Sequence, residues 1–133
     1  MRKEVLKEPI FAKEIAEIIK VSPSIEEMRE QLRDYHENDI AQSFEFLNRA
    51  ERNLLYSALD AKWMAEIIAY IDNPSEYIEE IGIDKLAEII NEMDADDAVD
   101  LWEDIDESVK VKLRPMIDDE TKTCLLYTSD AAD

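Results

Sequence analysis

The fold is decided by the stretch Leu86-Ala-Glu-Ile-Ile-Asn-Glu-Met-Asp-Ala-Asp-Asp-Ala-Val-Asp-Leu101. Its apolar residues recur three and four positions apart on each side of Asp94, which predicts two amphipathic helices joined at that residue. Asp94 is suited to begin the second helix, because its carboxylate can accept from free backbone N–H groups and meets the positive end of the helix dipole. Two short helices in succession indicate an all-helical fold.

The same phrase, an apolar residue followed by Asp, recurs about every twelve residues from residue 59 onward. The six aspartates are Asp60, Asp72, Asp84, Asp94, Asp106 and Asp118. If each is an N-cap, six short helices follow. Helices of about three turns are not stable alone in water, so their apolar stripes must pack on one another. We therefore expect an α-solenoid, a right-handed superhelix of short helices.

Helical spacing continues upstream, where Ser24 is predicted to cap a helix and Glu27 to complete a capping box. Near the other end, Pro115 should kink or restart the last helix. The segment 121–133 has no matching apolar stripe, so we expect a frayed or non-native tail, as from a read-through scar, or else the start of a linker. The helical domain is accordingly placed at residues 1–120.

Composition narrows the classes of function. The 133 residues carry 34 acidic against 15 basic side chains, a net charge of −19, which disfavours nucleic acid and anionic membranes as partners. Hydrophobic residues make up 46% of the chain, enough to build a core. Cys124 is the single cysteine, compatible with a reducing compartment. Neither a signal peptide nor a membrane span is expected.

The window 86–109 contains ten acidic residues and no basic one. Asp96, Asp100 and Asp104 follow one another at four-residue spacing and therefore share one side of a helix. Oxygen ligands without a neighbouring His or Cys suit Mg²⁺ or Ca²⁺ rather than zinc. The simpler alternative is a solvated acidic face whose first-turn aspartates serve the helix N-terminus. The EF-hand loop pattern is broken at Asp97, so an EF-hand calcium site is not expected.

Sequence motifs for catalysis are lacking. His36 is the only histidine, and a capping or packing role suits it better than a functional one. With a single glycine, the chain cannot supply a glycine-rich phosphate loop. Trp63 and Trp102 fall on or beside apolar stripes, as core residues do. We therefore expect a protein that is not an enzyme.

Three segments of the chain are more specific than acidic helices in general: His36-Glu-Asn-Asp-Ile-Ala41, Ala65-Glu-Ile-Ile68 and the phrase Leu86–Leu101, which is the most specific. Together they resemble the cytoplasmic N domain of MgtE-type magnesium transporters. The similarity spans about residues 10–120. Glu37 departs from the Pro that commonly follows the His in the family, and Pro115 in the last helix is a second departure. Neither residue lies within the acidic phrase.

The resemblance implies a superhelical domain that precedes a pair of cystathionine-β-synthase (CBS) domains, a connecting helix and a dimeric membrane pore. In such proteins Mg²⁺ bridges acids of the N domain and of the CBS pair, and this closes the pore. The family's N-domain ligands match Asp96 and Asp100, with a further acid at Glu66, and Asp97 is an adjacent candidate. The implied location is the cytoplasmic side of the cell membrane, and the implied cofactor is weakly bound regulatory Mg²⁺.

A free-standing acidic α-solenoid remains the alternative interpretation. Such a protein would be a scaffold for a protein partner, as the armadillo-like domains of the flagellar motor switch are. It would have a groove complementary to that partner and would not prefer Mg²⁺ over NaCl at equal ionic strength. The two hypotheses therefore differ in their response to a magnesium titration.

Overall fold

The computed structural model describes the backbone of residues 10–131 and the side chains of residues 11–125. Over this range the chain forms ten α-helices and two 3-10 turns, with no strand. The helices are α1 Ile10–Val21, α2 Ile25–Leu32, α3 Glu37–Ser43, α4 Arg49–Ala58, α5 Ala61–Ile68, α6 Ser75–Ile78, α7 Ile83–Glu92, α8 Ala95–Glu103, α9 Glu107–Leu113 and α10 Asp119–Ala131; the 3-10 turns are Phe44–Phe46 and Arg114–Met116. The predicted all-α class is confirmed.

The chain divides into two compact units, one ending at Leu59 and the other beginning at Asp60. In the first unit α1 packs mainly against α3, and α2 packs against α4. Ile15, Phe44 and Leu55 are fully buried and form part of its core. The Arg29 guanidinium donates to the carbonyl of Ala58 at 3.0 Å, which satisfies a free acceptor at the end of α4.

Three helices of the first unit begin with side-chain caps. Ser24 accepts from the N–H of Glu27 at 3.1 Å, as its position predicted. His36 caps α3 through Nδ1, which accepts from the N–H of Asn38 at 2.9 Å, so the capping role expected for this histidine is confirmed. The two-way capping box lies elsewhere, at Asn48 and Glu51 of α4, where each side chain accepts from the other residue's N–H.

In the second unit α5 and α9 both pack on α7, and α10 packs on α8. The stripe predicted for α7 is confirmed, because Leu86, Ile89 and Ile90 are all buried. The stripe of α8 buries Leu101 and Trp102 in the same way. The opposite sides of these helices are left to polar and charged residues, as the apolar spacing implied.

The six predicted aspartate caps have different outcomes. Asp60 accepts from the N–H of Trp63 at 2.8 Å, and Asp118 accepts from the N–H of Thr121 at 2.9 Å, so both predictions are confirmed. Asp94 and Asp106 occupy N-cap positions without a side-chain hydrogen bond. The predictions for the other two are wrong: Pro74 precedes α6 in place of Asp72, and Asp84 lies inside the first turn of α7.

The end of the described chain is a 3-10 turn followed by a helix. Pro115 interrupts the helical pattern as expected, because α9 stops at Leu113 and Pro115 lies in a 3-10 turn. After residue 120 the described backbone is helical, since α10 runs Asp119–Ala131, and Leu125 is buried; the frayed or non-native tail stays a prediction. Packing against α8 supports this helix despite its weak apolar pattern. Residues 132–133 lie outside the described part.

The turn before α10 is fixed to α7 by one side chain. Asn91 accepts from the N–H of Asp118 at 3.0 Å and donates to the carbonyl of Met116 at 3.3 Å. Two backbone groups that Pro115 leaves outside a regular helix therefore find partners on α7. Asn91 belongs to the acidic phrase of the sequence, and its role in the structure is to hold this turn.

Candidate functional site

The acidic residues of the central phrase lie on the side of α8 that the core does not use. Ala98, Leu101 and Trp102 are buried, while Asp96 and Asp100 are exposed. The helical repeat forces this separation, because residues three and four apart share a side. Helix α8 therefore presents a row of carboxylates outward.

A cleft of about 370 Å³ opens beside this row, within the unit that begins at Asp60. Helix α8 contributes Asp97, Asp100, Leu101 and Glu103 to its wall, followed by Asp104. The remaining wall comes from the end of α5, the segment after it and the turn before α8: Ile68, Ala69, Ile71, Asp72, Pro74 and Met93. The cleft thus combines apolar surface with five acidic residues.

Asp97 is a half-buried acid of α8. Its partial burial raises the pKa of the carboxyl above its ordinary value, and the negative charges of Asp94, Asp100 and Asp96 raise it further. Removal from water and nearby like charges both disfavour the ionised form. A bound cation would act in the opposite direction and favour ionisation.

The carboxylates of α8 are not neutralised by ion pairs within the part of the chain whose side chains are described. The ion pairs described there join Lys20 to Glu51 and Arg114 to Glu107, and neither includes an acid of α8. Like charges three and four positions apart destabilise a helix by a few tenths of a kcal/mol per pair. The row therefore carries unrelieved repulsion.

Two of the four predicted ligands line the cleft, and the other two do not. Asp97 and Asp100 line the cleft. Asp96 lies on the same helix, exposed and outside the cleft wall, and Glu66 lies exposed on α5. The predicted roles of all four in metal binding stay predictions.

Three acids of the cleft were not among the predicted ligands: Asp72, Glu103 and Asp104. Glu103 lies within the acidic window 86–109 of the sequence. Asp104 had a signal in the sequence, since it continues the four-residue spacing of Asp96 and Asp100. Asp72 had none, because the prediction placed it at a helix start, and its position in the cleft depends on the irregular segment after α5.

Within the described residues no three His, Cys, Asp or Glu side chains are grouped closely enough to hold a metal ion. The donors beside the cleft are all carboxylates. Mg²⁺ matches this chemistry, because it prefers oxygen ligands, keeps several of its own waters and needs only one or two carboxylates from a given surface. The binding of Mg²⁺ at this surface stays a prediction.

None of the described helices combines the length and apolar character that a bilayer crossing requires.

A family model described as the MgtE intracellular N domain matches residues 35–127, which is most of the chain and includes the whole of α8. The chain belongs to the MgtE intracellular N domain family. The resemblance drawn from the acidic phrase is thereby confirmed. No curated protein matches the chain.

A solved structure supports the same assignment for this MgtE N domain. It is the crystal structure of the soluble part of a magnesium transporter, with a TM-score of 0.75 and 26% sequence identity. The match covers 86% of this chain and 46% of that one. The chain therefore spans less than half of that soluble part.

Proposed function

We propose that this chain is the regulatory, magnesium-sensing domain of an MgtE-type magnesium transporter. The observation that carries the proposal is the row of carboxylates on α8, which are directed outward without ion pairs in a domain of this family. The proposed ligands are Asp96 and Asp100, with Glu66 and Asp97 as further acids. The role is regulatory and not enzymatic.

The chemistry of Mg²⁺ explains why the site would be shared. Mg²⁺ loses its waters reluctantly, so one or two carboxylates from each of two surfaces hold it weakly. The described residues provide no three-ligand group, which agrees with a composite site. When magnesium is plentiful, the ions bridge the α8 acids to a second acidic surface and draw the two together. When magnesium falls, the unscreened carboxylates repel each other.

The proposed second surface is a CBS pair in the same full-length chain, which would be a dimer in the membrane with this domain on the cytoplasmic side. The solved soluble part of a magnesium transporter supports further domains, because more than half of it lies beyond the match to this chain. Docking would then be a population shift: the ions bind the docked state better than the undocked one and so favour the closed pore.

The test replaces two proposed ligands in the full-length transporter. Asp96→Asn and Asp100→Asn together remove two charges from α8 without changing side-chain size. We expect the channel to stay open at magnesium concentrations that close the wild type. Glu26→Gln and Glu30→Gln are the matched control, since these exposed acids are also four residues apart on a helix, α2, in the other unit.

The measurement is magnesium influx as a function of internal magnesium. The proposal predicts that the α8 variant needs more magnesium for closure and that the α2 control closes as the wild type does. Unchanged closure in the α8 variant would contradict the proposal. An equal shift in both variants would also contradict it, because it would show a general effect of net charge.

A further inference from the structure

Helix α1 carries a second apolar stripe beside the one that it buries. The buried side is made of four residues: Ala12, Ile15, Ala16 and Ile19. Phe11, Ile18 and Val21 follow one another at spacings of seven and three residues, so they share another side of the helix. Phe11 is 54% and Val21 65% exposed, and Ile18 is half-buried. Large apolar side chains aligned in this way indicate an interaction surface, in contrast to single exposed residues.

The aromatic end of the stripe is held in place by a neighbouring side chain. The Phe11 ring meets the Tyr35 ring edge to face, with 6.1 Å between the centroids. The Tyr35 hydroxyl donates in turn to Oε1 of Glu14 on α1 at 2.8 Å. Phe11 is therefore an exposed aromatic ring whose position is fixed before binding. Such a side chain loses less conformational entropy in a complex than a free one does.

Acidic side chains border the stripe. Glu14 lies three residues after Phe11, and Glu17 lies four residues before Val21, so each is next to an apolar member of the stripe on the helix surface. Both acids are exposed. The hydrogen bond to Glu14 raises the pKa of Tyr35, as do its burial and the negative charges of Glu14 and Asp34. The stripe thus lies in a negatively charged environment.

The basic residues of α1 are directed to other contacts. Lys13 and Lys20 are seven residues apart and share a different side of the helix. The Lys13 ammonium lies 5.8 Å from the centre of the Phe46 ring. Lys20 Nζ lies 4.0 Å from Oε1 of Glu51. Neither lysine is placed to neutralise the acids that border the stripe.

We infer that the stripe of Phe11, Ile18 and Val21 is a docking surface for a basic amphipathic helix of a protein partner. Apolar residues of the partner contact the stripe, and its Lys or Arg side chains pair with Glu14 and Glu17. The net charge of −19 attracts a cationic segment and accelerates its approach. The same charge opposes nucleic acid and anionic membranes. This inference is independent of the proposed magnesium sensing.

The length of the stripe fits a short partner helix. Phe11 and Val21 are ten residues apart, which is about 15 Å along the helix axis. The probe is therefore a synthetic helix of about 14 residues of Leu and Lys, in which Leu recurs at three- and four-residue spacing. A second peptide of the same composition spreads its Leu residues around the helix. Each is added at physiological ionic strength, where long-range attraction to the net charge is screened, and backbone amide shifts are followed by NMR.

The anchor variant is Phe11→Ala with Val21→Ala. Both side chains are exposed, so the core is left intact, and circular dichroism checks the fold. Val111→Ala with Met116→Ala is the matched control, because these exposed apolar residues lie in the other unit. If the anchor variant does not fold, Val21→Ala alone replaces it.

The amphipathic peptide should shift amides of α1 and bind more tightly than the second peptide. The anchor variant should bind it roughly tenfold more weakly, while the Val111 and Met116 control binds as the wild type does. Glu17→Gln should weaken binding about twofold through the loss of one exposed ion pair. Glu88→Gln, at an exposed position on α7, should leave binding unchanged.

Wild-type affinity in the anchor variant would overturn the inference, as would equal binding of the two peptides or shifts concentrated in the second unit. Sedimentation of the chain alone tests a second copy: a dimer that the anchor variant abolishes would assign the stripe to self-association. Binding to phosphatidylglycerol vesicles that the anchor variant abolishes would assign it to a membrane. The same α1 shifts on addition of a peptide of residues 1–9 would assign it to the chain's own segment. Each of these three assignments would overturn the inference.

Discussion

Replacement of Asp100 by Asn should stabilise the fold, because this residue has the largest number of like-charged neighbours on α8. Asp96 and Asp97 precede it by four and three residues, and Glu103 and Asp104 follow it by three and four. Each such pair costs a few tenths of a kcal/mol, so the four together amount to about 1 kcal/mol at low salt. Asp and Asn have similar helix propensities, so the change of residue adds little.

The helix dipole does not offset this gain at Asp100. Favourable interactions of an acid with the dipole are confined to the first turn, and Asp100 is the sixth residue of α8. Asp84→Asn is the matched control, because Asp84 lies in the first turn of α7. There the same substitution removes a favourable charge, and we expect no gain or a small loss of stability.

Urea and thermal unfolding measure the difference. Asp100→Asn should raise the free energy of unfolding by about 1 kcal/mol at pH 7 in low salt, which corresponds to roughly 4 °C in Tm for a chain of this size. The gain should shrink in 1 M NaCl, where the repulsion is screened. Millimolar MgCl₂ should stabilise the wild type more than the variant. A loss of stability in Asp100→Asn, or a gain equal to that of the Asp84 control, would refute the reasoning.

Three further predictions concern single residues. Because the pKa of Asp97 is raised in the folded state, ionising this residue destabilises the fold as pH rises through that pKa. Asp97→Asn should therefore increase the free energy of unfolding most at pH 7 and little near pH 3, which urea unfolding midpoints would measure. Asp60→Ala should cost about 1 kcal/mol through the loss of a side-chain cap, and more than Asp94→Ala, whose residue makes no capping hydrogen bond; thermal unfolding of both variants decides this. Ile89→Ala should cost about 2 to 5 kcal/mol because Ile89 is fully buried, whereas Val111→Ala at an exposed position should change the unfolding free energy by less than about 0.5 kcal/mol.

Local patterns in the sequence were sufficient to predict which side of an amphipathic helix is buried. The spacing of Leu86, Ile89 and Ile90 predicted the buried side of α7, and that of Leu101 and Trp102 predicted the buried side of α8. These predictions succeed because helical periodicity alone determines which residues share a side.

Predictions failed where tertiary contacts decide the structure. The start of α6 after Pro74 could not be derived from the Asp72 pattern, because the chain there takes an irregular path that lines the cleft. A local pattern also does not account for α10, which lacks a clear apolar stripe and is supported by its packing on α8. The two-way cap at Asn48 and Glu51 did have a local signal, an Asn followed by Glu three residues later.

The candidate site was only partly predictable for the same reason. The four-residue spacing placed Asp96 and Asp100 on one side of a helix, and the structure places them so. Which acids share the cleft depends on how α8 lies beside the segment after α5, and this brought in Asp72. The helical period of α8 does not determine which residues of another segment lie beside it.

The most direct measurement is an NMR titration of the chain with MgCl₂ against NaCl at equal ionic strength. Magnesium binding predicts amide shifts concentrated at residues 94–104, with no counterpart in NaCl and strong reduction in the variant with both Asp96→Asn and Asp100→Asn. Equal, small shifts spread over the whole chain in both salts would contradict the central claim that the acids of α8 bind magnesium.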